Sequence, residues 1–163
     1  MKLLIFFLTF ALSLSLVCCS RDETKAQDVV RVALEYGGEA PVGVLYHIDA
    51  QEGSEGFLSP KMIKDIYGED GAELFSLLED YAVFISSQKI PYEVAVFKSR
   101  ARSDGLKLEL LLRQRRDTLS VALRGTSFYE MVDKIRIERV GDTVIFVLCP
   151  DPDRAMRKAK TLI

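Results

Sequence analysis

Residues 81–99, "YAVFISSQKIPYEVAVFKS", hold two strand-like runs around which the domain is built. The segments 81–86 and 92–99 are rich in β-branched and aromatic residues, which suit a pleated, half-buried surface. Five residues containing Pro91 separate them, so they form a hairpin. A second hairpin is expected at "KIRIERVGDTVIFVLC" (134–149), turning at Gly141-Asp142. Its return strand, 144–149, is apolar on both faces and is therefore central. Between the hairpins, "LKLELLLRQRRDTLSVALR" (106–124) begins with alternating leucines. Its length and its Leu, Glu, Arg and Lys content favour one long helix. The apolar stripe of that helix is Leu108, Leu111, Leu112, Leu119, Ala122 and Leu123. Arg115 interrupts it and is expected to snorkel to solvent.

Outside this core, Asp151 caps a last helix with Pro152 at its first position, and Met156, Ala159 and Ile163 are expected to line its inner side. "SPKMIKDIYG" (59–68) is a helix with Ser59 as N-cap, Pro60 at the first position, Gly68 as stop and Met62, Ile63 and Ile66 inward. In "TKAQDVVRVALEY" (24–36), Ala26, Val29, Val30 and Ala33 recur at helical spacing, ending at Gly37-Gly38. Residues 37–58 read as a loop with a brief strand at "GVLYHI" (43–48). The order β-β-α-β-β-α implies an α+β domain. Its four-stranded antiparallel sheet carries helices mainly on one face, after a short N-terminal helix. Val96, Leu111, Ile145 and Val147 should be buried where sheet meets helix.

A chain of 163 residues, 48% apolar, has room for one globular domain with a proper core. The three cysteines, Cys18, Cys19 and Cys149, form neither a disulfide framework nor, with the single His47, a zinc site. Net charge is −2 but unevenly placed. Residues 22–95 hold 15 acidic and 5 basic side chains, and residues 96–139 hold 11 basic and 6 acidic. Such halves ordinarily offset each other on folding.

The N-terminus has its own logic. "MKLLIFFLTFALSLSLV" (1–17) carries one cation, Lys2, and then 15 uncharged residues, short of the ~20 a membrane-spanning helix needs. It has the form of an export signal. The end of this run fits a lipobox read on Cys19: Leu16 at −3, Val17 at −2 and Cys18 at −1, where Gly, Ala or Ser is usual. Read on Cys18, the box would place β-branched Val17 beside the cut. Cysteine is required because its thiolate is the group alkylated with diacylglycerol, and two or three chains anchor far better than one. The alternatives are an ordinary cleaved signal, with Cys19 incidental, or an uncleaved anchor. The expected organisation is a signal peptide over 1–18, a tether over 19–28 and one domain over 29–163. The expected location is the extracytoplasmic face of the cell membrane.

Four stretches, "IYGED" (66–70), "YEVAVFKS" (92–99), "RRDTLS" (115–120) and "VGDTVIFVLCPDPDRAMRKA" (140–159), occur in an order that resembles a known family. This is the small lipoproteins of Clostridia-type Firmicutes, catalogued as a domain of unknown function. The resemblance implies a secreted, membrane-tethered protein and assigns no catalytic residue.

The candidate sites rest on residue chemistry. His47 lacks a visible partner for general-base work. Asp65, Glu69, Asp70 and Glu73 lack the alternation of a calcium loop and read as solvated acidic surface. Cys149 reads as a buried thiol. Arg113, Arg115 and Arg116, with Lys98, Arg100 and Arg102 just upstream, form a basic constellation whose candidate anion contacts are Arg113, Arg116, Arg100 and Arg102; they could meet lipid headgroups, an anionic envelope polymer or an acidic protein. Pairing with Glu109 and Asp117 is the plainer role for the helix arginines. No cofactor or metal is expected, and export argues against nucleic acid. The expected function is a non-enzymatic envelope binding module; the alternative is an envelope-acting enzyme with an unfamiliar site.

Overall fold

The computed structural model describes residues 24–163. The signal segment, Cys18, Cys19 and the start of the tether lie outside the described residues. The elements run α1 (Ala26–Tyr36), β1 (Gly43–His47), α2 (Pro60–Tyr67), α3 (Gly71–Phe75), β2 (Leu78–Ser86) and β3 (Glu93–Ser99). Then come α4 (Gly105–Leu123), α5 (Tyr129–Asp133), β4 (Arg136–Val140), β5 (Thr143–Leu148) and α6 (Pro152–Ala159).

The α+β class and both hairpins are as expected, but the sheet has five strands, not four. Its order is β1-β2-β3-β5-β4, antiparallel throughout. The added edge is β1, the brief strand at 43–47, whose Val44 faces Ile85 of β2. Gly43 opens that edge for a steric reason: a Cβ there would lie 2.5 Å from both Ile85 O and the Phe84 ring.

The helices cover both faces, which corrects the one-sided expectation. One face packs Val83, Ala95, Phe97, Val144 and Phe146 under α2, α3, α4 and α5. The other packs Ala82, Val94, Val96, Ile145 and Val147 under α1 and α6. β5 is apolar from Val144 to Leu148 and β3 from Val94 to Phe97, because each strand is buried on both sides. Val96, Leu111, Ile145 and Val147 are all buried, with Leu111 on the opposite face from the other three. Phe97 is the centre of the α4 side, its ring 5.7 Å from Tyr67 and 5.2 Å from Phe75 in edge-on contact.

Local chemistry fixes the helix ends. Ser59 accepts a hydrogen bond from Met62 N, and Gly68 stops α2 at φ +85°. Asp151 accepts from Arg154 N ahead of Pro152. A bulge in β2 between Leu78 and Asp80 accompanies an Asp80 carboxylate that accepts Ala26 N–H at 2.7 Å, a negative charge at the start of α1. Ile163 departs from expectation: it is 45% exposed, and Pro152, Ala155, Met156 and Ala159 form the buried side of α6.

α1 and α6 meet closely because their facing residues are small: Ala33, Ala155 and Ala159. At the end of α1, Gly37 lies against Tyr92 and Cys149; a Cβ there would be 2.8 Å from Tyr92 Oη and 2.9 Å from Cys149 Sγ. Gly37→Ala should therefore overpack this seam and lower stability by about 1–3 kcal/mol in urea unfolding. Adding Cys149→Ala, which vacates the sulfur's space, should restore part of the loss. A Gly37→Ala chain as stable as wild type would show that the seam yields freely.

Candidate functional site

One hollow, about 610 Å³, lies between the start of α1 and Leu162–Ile163, over Val96 and Thr143. Size is not chemistry here. Several of its polar groups are already engaged: Lys98 donates to Glu79 at 3.3 Å, Thr143 to Asp142 at 3.2 Å and Thr161 to Lys158 O at 2.7 Å. A neighbouring hollow of about 260 Å³ is framed by Lys25, Asp49, Glu79, Asp80 and Lys98, with Lys25 paired to Asp49 at 3.0 Å.

A smaller cleft, about 240 Å³, carries the deeper chemistry. It runs between the second half of α4 and the β2–β3 hairpin, with Ile85, Leu148, Leu119 and Leu123 as apolar walls. Glu93 and Arg115 line it as well. Glu93 opens β3 and is 2% exposed. Its Oε1 accepts from Tyr67 Oη at 3.1 Å, and its Oε2 accepts from Arg115 Nε at 3.1 Å and Nη2 at 2.8 Å. Arg115 Nη1 donates to Ile66 O, the end of α2, at 3.2 Å. One carboxylate thus ties β3, α2 and α4 together.

Burial is the largest influence on the Tyr67 hydroxyl and, with the adjacent Glu93 charge, raises its pKa well above the ordinary value. For Arg115, burial acts to lower the pKa, but the Glu93 charge and hydrogen bond prevail and raise it. The guanidinium stays protonated. Both Glu93 oxygens are engaged and out of solvent, so this carboxylate is not placed to take a proton from a substrate. Its geometry is that of a clamp.

Sequence reasoning missed the clamp. Arg115 does not snorkel to solvent; it turns inward to Glu93, which lies 22 residues earlier. The available signal was a cation within a leucine stripe together with an acid heading the apolar run Val94–Phe97.

The arginines singled out from sequence are separated. Arg113 donates to Glu109 Oε1 at 2.6 Å, and Arg116 donates to Asp117 Oδ1 at 3.0 Å, both within α4. Glu109 is also 3.7 Å from Arg139. Arg100 and Arg102 are exposed and precede α4, whose first residue, Gly105, is about 12 Å along the helix axis from Arg113. None of the three hollows described above is lined by any of the four.

The other candidates have local roles. His47 Nδ1 accepts from the Gln27 side-chain amide at 3.0 Å, while its backbone N–H donates to Gly56 O. Asp65 and Glu69 pair in solvent with Lys61 and Lys64, and Asp70 and Glu73 are exposed. No three His, Cys, Asp or Glu side chains among the described residues converge as a metal site. Cys149 is buried, and burial is the main reason its thiol is pushed up to about 12, leaving almost no thiolate at neutral pH. Among the described residues no helix is long and apolar enough to cross a membrane. No protein-family model, curated protein or solved structure matches the chain.

Proposed function

We propose that this chain is a lipid-anchored, extracytoplasmic binding module without catalytic activity. The observation that carries the reading is the lipobox at Leu16–Cys19, followed by six polar residues, 20–25, and then at once by a packed helix. Ala26 is already buried and its N–H already held by Asp80. Six residues span at most about 20 Å, so an anchor at Cys19 holds the domain against the membrane surface. The clamped Glu93 and the inert Cys149 support binding rather than turnover. The partners of such a module are a protein or an anionic envelope polymer, and the arginines at 100, 102, 113 and 116 are its candidate anion contacts.

Fractionation of cells expressing the full chain tests the anchor. The wild-type protein should pellet with membranes and partition into detergent. Cys19→Ser should lose lipidation and with it nearly all detergent partitioning, because two or three acyl chains supply the affinity. Cys18→Ser, which restores a common lipobox residue at −1, should remain anchored. Equal detergent partitioning of Cys19→Ser and wild type would reject the reading.

A further inference from the structure

We infer that the cleft between α4 and the β2–β3 hairpin binds a small monocarboxylate with a compact apolar body, gripped by Arg115. This rests on the binding-module reading and deepens it with a site and a ligand class. A guanidinium has five N–H donors. Arg115 commits three of them, two to Glu93 and one to Ile66 O. The remaining two, one on each Nη, have no acceptor among the described residues, although the side chain is only 15% exposed and lines the cleft. Donors this little exposed favour an acceptor, and a carboxylate has two oxygens with which to meet them.

Charge sets the valence. Arg115 is balanced by Glu93, and Lys89 on the hairpin is the other cation lining the cleft. The surplus is one positive charge, which matches a monoanion better than a phosphate dianion. The walls set the body. Ile85, Leu148, Leu119 and Leu123 offer apolar surface, and about 240 Å³ lies just below the ~300 Å³ at which pockets for drug-sized ligands begin. A branched-chain acid fits this description. So does the C-terminal residue of a peptide, which presents the same chemistry.

The test uses the full chain extracted in a neutral detergent and observes the arginine Nε–H signals by ¹H–¹⁵N NMR. Arg115→Lys assigns the Arg115 signal by its disappearance. Isovalerate should shift that signal saturably, whereas isovaleramide and isoamylamine should bind roughly tenfold or more weakly, because each lacks the carboxylate. Leu123→Trp, which fills the cleft and leaves the clamp intact, should abolish the shift while retaining the wild-type circular dichroism spectrum. Tighter binding of N-acetyl-alanyl-leucine than of isovalerate would assign the site to peptide ends; the reverse would assign it to free acids. No saturable shift with either acid, an equal shift with the amide, or undiminished binding by folded Leu123→Trp overturns the inference. Because the signal is read whether or not Cys19 is lipidated, failure here leaves the anchored-module reading standing, and failure of the anchor leaves the cleft standing.

Discussion

Arg115→Met is expected to destabilise the domain by about 3–5 kcal/mol, because it leaves the Glu93 carboxylate buried without its counter-charge. Glu93 is 2% exposed, and Tyr67 would be its one remaining hydrogen-bond partner among the described residues. The substitution also removes the donor to Ile66 O, so the end of α2 loses its tie to α4. The pair need not be a net source of stability, since desolvating two ions offsets much of their attraction. Tyr67→Phe/Glu93→Leu/Arg115→Met, which removes all three polar groups, should therefore lie much closer to wild type than the single variant. Urea unfolding of the three proteins gives the comparison. A single variant within about 1 kcal/mol of wild type would mean that water reaches Glu93 and that the clamp is open.

Val147→Asp should cost more than about 4 kcal/mol and leave little folded protein at pH 7. Val147 is fully buried in β5, between Val94 of β3 and Arg136 of β4 in the register, on the face covered by α1 and α6. The apolar residues of that face, Ala33, Val94, Val96, Ile145 and Ala155, bring no side-chain donor to a carboxylate, and the cross-strand Arg136 is already paired with Asp153 at 2.6 Å. Val147→Thr keeps the shape and adds one hydroxyl, so it should lose only about 1–3 kcal/mol. Near-ultraviolet circular dichroism and melting curves read both. A wild-type melting temperature for Val147→Asp would place residue 147 at the surface and contradict the strand's orientation.

The parts of the fold legible in sequence are those fixed by neighbours in the chain. Ser59, Pro60 and Gly68 mark both ends of α2 within ten residues, and Asp151 with Pro152 marks the start of α6. The hairpins close over short turns. β1 is legible as a strand but not as part of the sheet, because its pairing joins Val44 to Ile85 across a long, glycine-containing connection. The two-sided packing is half visible: β5 reads as apolar on both faces, which requires a second layer. α3 and α5 are five residues each, too short for a helical period to show. The clamp is hidden for the same reason as the β1 pairing, since Glu93 and Arg115 meet only when β3 and α4 pack. Local pairing is legible: Arg113 with Glu109 is an i,i+4 pair.

A domain that works from a lipid anchor must show the chemistry of that anchor at Cys19. The protein extracted from membranes should be examined by intact mass spectrometry and by sequencing of its N-terminal peptide. The mature chain should begin at Cys19 and carry a thioether-linked diacylglycerol, with or without a further acyl chain on its new amino group. A chain that begins at Arg21 or later, or one that begins at Cys19 with an unmodified thiol, would contradict the anchor.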